Sequence, residues 1–354
     1  MSLDLHVDRD RWRAHLRSTS VDVPGLVPVA KGNGYGFGMQ ALAGEAAGLG
    51  VPLLAVATVS ELPAVADGFG GRLLVLEPWR PFDAQPDPRL TDRLVRTVDR
   101  AEDVAALAAA ATPGSPQPLV VELSTSMRRH GLPPAELAVL ARALQDAGER
   151  VQVEGFAVHL PLPGYGDPDA EVASALAACT QAGLTVETLF VSHVVPSGLA
   201  RLAAAHPGVR MRPRIGTALW LGDPQALRVT SAVIGVRPIR RGERFGYRQR
   251  RSPVTGHLVV CSGGTANGIA TEPPSRAASV ADRARALAGG GLQAAGLALS
   301  PFAVAGRRRW FAEPPHMQVS MLLLPAKVPP PGVGELLPVN AGMTLTRVDR
   351  VLWE

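Results

Sequence analysis

Short apolar runs alternate with alanine- and leucine-rich stretches up to about residue 225 of the chain. The runs have the length of buried strands, and the stretches between them have the apolar spacing of helices. The pattern predicts eight strands, at Leu26–Ala30, Leu53–Ala57, Arg72–Leu76, Val95–Val98, Leu119–Leu123, Val153–His159, Leu189–His193 and Met211–Ile215. It predicts helices at Met39–Ala47, Ser60–Val65, Ala101–Ala110, Pro134–Ala147, Ala170–Gln181 and Leu199–Ala205.

Eight strand–helix units in about 200 residues are typical of an α/β fold of the (β/α)8 TIM-type barrel kind. A doubly wound sheet is the alternative, because the pattern alone does not close the barrel. Beyond Gly222 the helical spacing stops, and short apolar segments at Val229–Val236, Leu258–Val260, Val319–Leu324 and Thr344–Val348 predict a smaller β domain. We therefore predict a barrel over residues 8–225 and a C-terminal β domain over residues 226–354, which includes a strand at residues 1–7.

Composition and charge narrow the classes of function. The net charge is +5, but the arginines are scattered and aromatic residues make up only 5% of the chain. Nucleic-acid binding is therefore not predicted. No apolar run reaches the length of a membrane span, and the charged N-terminus lacks a signal peptide's apolar core. Cys179 and Cys261 lie far apart and have no metal-type spacing. We expect a cytoplasmic protein without a metal site.

Lys31 is one of only two lysines, the other being Lys327, among 36 basic residues. Arginine supplies positive charge almost everywhere else, so a retained lysine suggests chemistry that a guanidinium cannot perform. An amine can lose its proton and attack an aldehyde to form a Schiff base. Lys31 directly follows the first predicted barrel strand, where barrel active sites lie. The alternative is a surface lysine without a role.

The segment V-A-K-G-N-G-Y-G-F-G around Lys31 resembles the pyridoxal-phosphate (PLP) lysine motif of the alanine racemase family. The resemblance continues in order through most of the chain. The further matching segments are E-L-S-T-S-M-R-R-H-G at Glu122–Gly131, G-F-A-V-H-L at Gly155–Leu160, S-H-V-V-P-S at Ser192–Ser197, R-P-R-I-G-T-A-L-W-L-G at Arg212–Gly222, G-G-T-A-N-G at Gly263–Gly268 and P-H-M-Q-V-S-M at Pro315–Met321.

The resemblance implies that PLP is the cofactor and assigns roles to the matching residues. Lys31 would bind PLP covalently and act as a base on the substrate Cα. Arg214 would face the pyridine nitrogen and leave it unprotonated, and Arg129 would donate to the ring hydroxyl or to the substrate carboxylate. The remaining cofactor residues would be Tyr35 and His159 beside the ring, and Ser197, Gly216 and Thr217 at the phosphate. Taken singly, His159 could be a core histidine, Arg214 a surface charge and Ser197 a helix cap.

Several positions depart from the family pattern. Thr265 stands where the family has a catalytic tyrosine from the partner subunit, so the resemblance implies a divergent member that lacks the usual second base. Glu122 falls at the position of a carbamylated lysine and would supply negative charge to Arg129. In the Met-Asp pair of the family, Met317 is matched and Gln318 replaces the aspartate; both would bind substrate. The groups that could replace the tyrosine are Tyr247 and His316 first, then His257 and Tyr165.

We expect a PLP-dependent isomerase that abstracts the Cα proton of a small amino acid, with L- and D-alanine interconversion as the leading reaction. The resemblance also implies a homodimer with shared active sites and a role in cell-wall amino-acid supply. One alternative is a single-base lyase or epimerase acting on a larger amino-acid or cell-wall-related derivative. The other is a PLP-binding protein without catalysis.

Overall fold

The computed structural model describes residues 2–271 and 298–354. The part of the predicted β domain between these ranges lies outside the described residues. The described helices are α1 (Arg9–Asp22), α2 (Met39–Gly48), α3 (Leu62–Ala66), α4 (Ala101–Ala110), α5 (Leu137–Ala147), α6 (Pro168–Gln181), α7 (Pro196–Ala205) and α8 (Thr217–Trp220). The described strands are β1 (Leu3–Val7), β2 (Val27–Pro28), β3 (Leu53–Val56), β4 (Arg72–Pro78), β5 (Leu94–Val98), β6 (Gln117–Leu123), β7 (Val151–Val158), β8 (Thr188–Ser192), β9 (Arg210–Ile215), β10 (Leu227–Ile239), β11 (Arg244–Phe245), β12 (Arg250–Arg251), β13 (Gly256–Ser262), β14 (Leu299–Val304), β15 (Arg307–Phe311), β16 (Val319–Pro325), β17 (Leu336–Pro338) and β18 (Arg350–Trp353).

The described chain divides into two compact units. The larger unit comprises residues 14–34 and 38–222, and the smaller unit comprises residues 1–13, 35–37 and 223–354. Within the described part of the chain, no helix is both long and apolar enough to span a bilayer.

The larger unit is a parallel barrel of eight strands in the order β2-β9-β8-β7-β6-β5-β4-β3. A parallel bridge between Val29 and Ala55 joins the two ends of this sheet. Beside it, the Ala30 N–H donates to the Ala55 carbonyl at 2.8 Å. All eight predicted barrel strands and the fold class are confirmed, and the doubly wound alternative is wrong because this bridge joins the first strand to the last.

Apolar side chains fill the barrel interior because alternate residues of each strand point inward. The buried interior cluster contains one or two residues from most strands: Val27, Val29, Leu53, Ala55, Leu74, Val95, Val120, Ala157 and Phe190. A second buried cluster, which includes Val121, Val158 and Val191, packs the outward faces against the helices. The inward residues that come next along each strand therefore line the carboxyl-terminal mouth of the barrel.

The smaller unit contains an eight-stranded sheet in the order β14-β15-β16-β13-β10-β1-β18, with β17 paired to β10. The short hairpin β11–β12 has Tyr247 in its turn. The sequence did not predict β14 and β15; in β15, three consecutive arginines within Arg307–Phe311 hide the apolar alternation of a strand.

The predicted strand at Thr344–Val348 is wrong. Leu345 and Thr346 each donate a backbone N–H to the Gly342 carbonyl, at 2.8 and 2.9 Å. These local bonds make a turn, and the strand begins later, at Arg350, where β18 pairs in parallel with β1. Apolar alternation therefore marked the correct part of the chain but the wrong residues.

Candidate active site

Four polar residues form a layer at the carboxyl-terminal mouth of the barrel, called here the mouth layer: Glu122, His159, Ser192 and Arg214. Three of them follow the interior residues Val120, Ala157 and Phe190 by two positions, so they point the same way as those residues. Arg214 is the register partner of Ser192 on the neighbouring strand β9. Charged residues one layer above an apolar core are typical of a barrel active site.

Arg214 is the most deeply buried cation of the mouth layer. Its Nη1 lies 3.7 Å from the Glu122 Oε2, and the two side chains are only 3% and 4% exposed. Its Nη2 donates to the Val158 carbonyl at 3.1 Å. Burial lowers the pKa of Arg214 from its ordinary value, and the charge of Glu122 opposes that effect. The guanidinium is thus held rigidly by groups on two neighbouring strands.

Two buried polar atoms of the mouth layer lack hydrogen-bond partners among the described residues. They are the Arg214 Nε and the Ser192 Oγ, on register-paired residues of adjacent strands. A buried polar atom without a partner is costly and rare, so such a pair requires an explanation. A bound polar ligand at the mouth that accepts from Nε would supply one.

His159 is held neutral at the end of β7. Burial lowers its pKa to about 3, and the positive charges of Arg214 and Arg129 add to the effect. Its ring meets the edge of the His193 ring, with centroids 4.9 Å apart and planes at 76°. His193 has a φ of 59° and contacts the Leu160 carbonyl through Nδ1 at 2.8 Å. A neutral imidazole fixed in this way can pack against a flat ring without adding charge.

Lys31 lies three residues after β2 and is exposed to solvent. Even so, desolvation by the surrounding protein lowers its pKa, with further lowering by the charges of Arg129 and Arg214. The charge of Glu61 acts in the opposite direction. A lowered lysine pKa increases the fraction of neutral amine, which is the nucleophilic form.

The loop after Lys31 is fixed by backbone geometry and by one carboxylate. Glu61 accepts from the Gly32 N–H at 2.7 Å with one oxygen and from the Ala57 N–H at 2.7 Å with the other. Gly34 has a φ of +62°, and a Cβ added there would lie 2.6 Å from the Met39 nitrogen. Only glycine fits at position 34, so the loop holds Lys31 in a defined place.

The predicted phosphate-binding residues lie at two helix N-termini. Ser197 is the second residue of α7, whose N-cap is Val195, so the Ser197 hydroxyl makes no cap bond. Gly216 is the N-cap of α8, and Thr217 is its first residue. Ser197 and Thr217 are exposed. The first backbone N–H groups of a helix have no partner within it and attract anions.

Arg129 is exposed, and its positive charge lowers the pKa of Lys31, His159 and Arg214 alike. Arg129 therefore belongs to the same charged surroundings as the mouth layer. The expectation that Glu122 serves Arg129 needs correction. The described ion pair of Glu122 is with Arg214, because both side chains point into the barrel mouth, from β6 and from β9.

The smaller unit brings the other predicted residues together. Thr265 donates its N–H to the His316 carbonyl at 2.9 Å, and Ala266 donates to the Met317 carbonyl at 3.0 Å. The Gln318 carbonyl accepts from the Gly263 N–H at 3.0 Å. The Tyr247 ring lies against that of His316, with centroids 4.6 Å apart. Thr265, Tyr247, His316, Met317 and Gln318 are thus contiguous within this unit.

Three further predicted residues, Tyr35, His257 and Tyr165, are not among these contacts. Tyr35 is buried, has a φ of 54° and belongs to the smaller unit by its contacts. His257 lies on β13, with its Nδ1 buried and without a partner in the described residues. Tyr165 is 64% exposed in a loop of the larger unit.

Four residues with clear roles in this geometry were not selected from the sequence: Glu61, Ser192, His193 and Glu313. Ser192 and His193 lie inside a matched segment, and their position after a buried strand could have indicated them. Glu61 accepts from the N–H of Gly32, 29 residues away, and Glu313 accepts from the N–H of Tyr247, 66 residues away. No periodicity or spacing predicts such contacts.

The fold and the mouth layer define a class: a parallel α/β barrel with a lysine of lowered pKa near a strand end, and a second, β-rich unit. The chain belongs to the alanine racemase family. Residues 7–224 match the family model for the alanine racemase N-terminal domain. The alanine racemase of Mycobacterium bovis is 28% identical over 266 residues, which cover 69% of this chain and 67% of that protein.

Solved structures agree on the fold. The alanine racemase of E. faecalis superposes with a TM-score of 0.71 at 20% identity and covers 99% of this chain, which in turn covers 98% of that one. The alanine racemase of Bartonella henselae, solved with covalently bound pyridoxal phosphate, superposes with a TM-score of 0.72 at 16% identity, and the match covers 100% of both chains. At these identities the likeness establishes the fold alone.

Proposed function

We propose that this chain is a PLP-dependent enzyme that removes and returns the α-proton of a small amino acid, with alanine racemisation as its leading reaction. The observation that carries the proposal is the buried Arg214 guanidinium, held by Glu122 and Val158 with its Nε unpartnered among the described residues. It stands in the same charged surroundings as a lysine whose pKa is lowered.

The residues present fit PLP. When bound, PLP withdraws electrons from the substrate α-carbon and so makes its proton easier to remove. Arg214 would donate its free Nε–H to the pyridine nitrogen. A guanidinium has only donors, so it keeps that nitrogen unprotonated and favours simple proton transfer. Ser197, Gly216 and Thr217 would hold the phosphate, and the neutral ring of His159 would pack beside the pyridine, with Tyr35 as a further ring contact.

Lys31 has two roles in the proposal. Its amine, made more nucleophilic by its lowered pKa, would hold the cofactor covalently. The same amine would also be the base that takes or gives the α-proton of the substrate. Arg129 would donate to the substrate carboxylate or to the ring hydroxyl. As the family resemblance implies, Met317 and Gln318 would bind substrate.

A second candidate function is a single-base reaction on a larger amino-acid or cell-wall-related derivative, such as a lyase or epimerase reaction. It is favoured by the exposed side chain of Thr265, which is a poor acid or base near neutral pH. A PLP-binding protein without catalysis is the remaining alternative.

We also infer a homodimer, as in the family. Size-exclusion chromatography with light scattering tests this directly.

Covalent PLP attachment can be located sharply because the chain has only two lysines, Lys31 and Lys327. The PLP-loaded protein would be reduced with borohydride, which fixes the carbon–nitrogen bond, and digested for peptide mass mapping. We expect the cofactor mass on the Lys31 peptide, retained in Lys327→Arg and lost in Lys31→Arg. Cofactor mass on the Lys327 peptide alone would refute the proposal.

A further inference from the structure

A cavity lies in the larger unit beside the connection between β4 and β5. That connection contains a short 3-10 helix, Pro88–Arg93, whereas each of the other connections between consecutive barrel strands contains an α-helix. A cavity of about 290 Å³ lies between this connection and the strands. Val75 and Arg96, which are register partners on β4 and β5, both line it. We call this space the outer cavity.

The outer cavity is separate from the barrel mouth. Leu74 and Val95 belong to the buried interior cluster of the barrel. Because side chains alternate along a strand, the residues that follow them, Val75 and Arg96, point to the outside of the barrel. The outer cavity shares no residue with the mouth layer. A ligand bound there would therefore leave the mouth free.

Arg96 brings a buried positive charge to the outer cavity. Its side chain belongs to a residue that is only 8% exposed, and burial lowers its pKa from its ordinary value. Its Nη1 donates to the Gln117 Oε1 at 2.7 Å, and within the described residues this neutral amide is its one hydrogen-bond partner. A guanidinium has five N–H donors. Since a buried charge is costly unless it is paired, Arg96 favours an anionic group in the cavity.

Arg214 shows the contrast. It is the other deeply buried arginine of the barrel, and a carboxylate, Glu122, lies 3.7 Å from its Nη1. Arg96 forms no ion pair with any residue that the structure describes. The counter-charge that the fold supplies to Arg214 would have to come to Arg96 from a ligand.

The other walls of the outer cavity combine hydroxyl groups with aromatic side chains. The Thr58 Oγ1 and the Ser60 Oγ lie 2.8 Å apart, and both residues line the cavity. Hydroxyls can donate to an anion beside the guanidinium. Trp79 and Phe82 also line the cavity, and Phe82 is 84% exposed. Aromatic rings of this kind can bury the apolar part of a small ligand.

Two carboxylates restrict the charge of the ligand. Glu77 and Asp83 line the same cavity, with Glu77 exposed and Asp83 half-buried. The Asp83 Oδ2 accepts from the Arg80 N–H at 2.7 Å, which fixes its place in the loop. These negative charges disfavour a ligand with a second negative charge and attract an ammonium group. A small zwitterion satisfies both the buried cation and the more exposed carboxylates.

We propose that the outer cavity binds a free amino acid with an apolar side chain. The ligand carboxylate accepts from Arg96, its ammonium faces Glu77, and its side chain packs against Trp79 and Phe82. A volume of about 290 Å³ is at the lower end of the range for small-molecule pockets, as a ligand of this size requires. The inference goes beyond the proposed function and does not depend on it, because neither PLP nor Lys31 takes part.

The test is an NMR titration of the 15N-labelled full chain with L-phenylalanine, 3-phenylpropanoate or phenethylamine. The chain has five tryptophans, and Trp79→Phe identifies the indole N–H signal of Trp79. We expect L-phenylalanine and 3-phenylpropanoate to shift this signal saturably. Phenethylamine lacks the carboxylate and should not. The affinity for 3-phenylpropanoate, which has no amine to react with PLP, should be the same with and without bound PLP.

Variants separate the contributions of the cavity walls. Arg96→Gln should weaken both carboxylate probes about 10- to 100-fold, the range expected for loss of hydrogen bonds to a charged group. Glu77→Gln should weaken L-phenylalanine but not 3-phenylpropanoate, which has no ammonium. Phe82→Ala changes an exposed side chain and should weaken both probes without unfolding the chain. Arg201→Gln, on α7, is the matched control and should keep the wild-type affinities.

The outcomes are distinguishable from those of the proposed function. Absence of a saturable Trp79 shift with either carboxylate probe overturns the inference. Binding that PLP displaces and that Arg96→Gln leaves unchanged lies elsewhere and overturns it too. Equal affinity of Glu77→Gln and wild type for L-phenylalanine overturns the choice of an amino acid. None of these results bears on PLP attachment at Lys31, and failure of that attachment leaves the outer cavity unaffected.

Discussion

The Arg214 guanidinium lies 3.7 Å from the Glu122 carboxylate at the mouth of the barrel, and both side chains are almost completely buried. This pair places one compensated positive charge in the mouth layer, where Arg214 would face the pyridine nitrogen of the cofactor. It leaves the Arg214 Nε as the one polar atom of the guanidinium that is buried and without a partner among the described residues.

Removal of Arg214 should destabilise the protein strongly. Arg214→Met leaves Glu122 buried without a counter-charge, which costs about 3–5 kcal/mol of unfolding free energy. The double variant Glu122→Met/Arg214→Met should recover most of that loss, because no charge remains buried. Urea unfolding of the cofactor-free protein measures both.

The exposed pair Arg201–Asp169, with a 2.8 Å contact and side chains 60% and 45% exposed, offers a control. Arg201→Met should cost less than about 1 kcal/mol. Equal losses for Arg201→Met and Arg214→Met would mean that burial of the Glu122–Arg214 pair has no energetic consequence.

His159 should make the protein less stable in acid. Its pKa falls from 6.5 to about 3 in the folded chain, chiefly through burial. Between these values the unfolded chain binds a proton that the folded chain does not, so stability is lost as the pH falls from 6.5 towards 3. His159→Gln should therefore lose less stability than wild type over this range. Unfolding free energies at several pH values measure the difference, and parallel pH profiles for the two proteins would contradict it.

Alanine substitutions at two glycines beside Lys31 can distinguish the cost of backbone strain from the cost of a steric clash. Gly32 and Gly34 both have a φ of +62°, but only at Gly34 would a Cβ meet another atom, the Met39 nitrogen at 2.6 Å. Gly32→Ala should cost about 1–2 kcal/mol from the left-handed backbone alone. Gly34→Ala should cost more and also lower PLP occupancy at Lys31. If Gly34→Ala costs no more than Gly32→Ala, the close approach of Met39 does not constrain the loop.

The charges around Lys31 should shift the pH dependence of PLP capture in opposite directions. Arg129 lowers the pKa of Lys31, and Glu61 raises it. Arg129→Gln should therefore shift the pH profile of the PLP capture rate towards higher pH, and Glu61→Gln should shift it towards lower pH. Initial rates of PLP binding by the cofactor-free protein across pH provide the profile. A shift in the same direction for both variants would show that these charges do not act on the amine.

The sequence predicted the barrel well because most of its strands contain a buried apolar run. The strands at the edge of the smaller unit were missed, since β15 carries Arg307, Arg308 and Arg309 and has little apolar alternation. The predicted strand at Thr344–Val348 failed because local bonds to the Gly342 carbonyl form a turn there.

For the site residues too, positions at strand ends could be predicted from the sequence, and contacts that depend on the fold could not. Lys31, His159 and Arg214 could be selected from the sequence because each lies at the end of a strand within a matched segment. The ion-pair partner of Glu122 could not be predicted, since Arg129 and Arg214 were both available and only the closed barrel brings Arg214 to Glu122. Glu313 had no signal at all, because its role depends on a turn that brings Tyr247 from 66 residues away.

The central claim is that Lys31 and PLP exchange the α-proton of a small amino acid. The most direct test is proton NMR of the PLP-loaded wild type in D2O with L-alanine and D-alanine supplied separately, followed by chiral analysis of the recovered amino acid. We predict that both enantiomers lose the α-proton signal and interconvert, and that Lys31→Arg abolishes both effects. Exchange of one enantiomer without inversion would replace racemisation by the single-base reaction. Full retention of the α-proton in both enantiomers would contradict the claim for alanine.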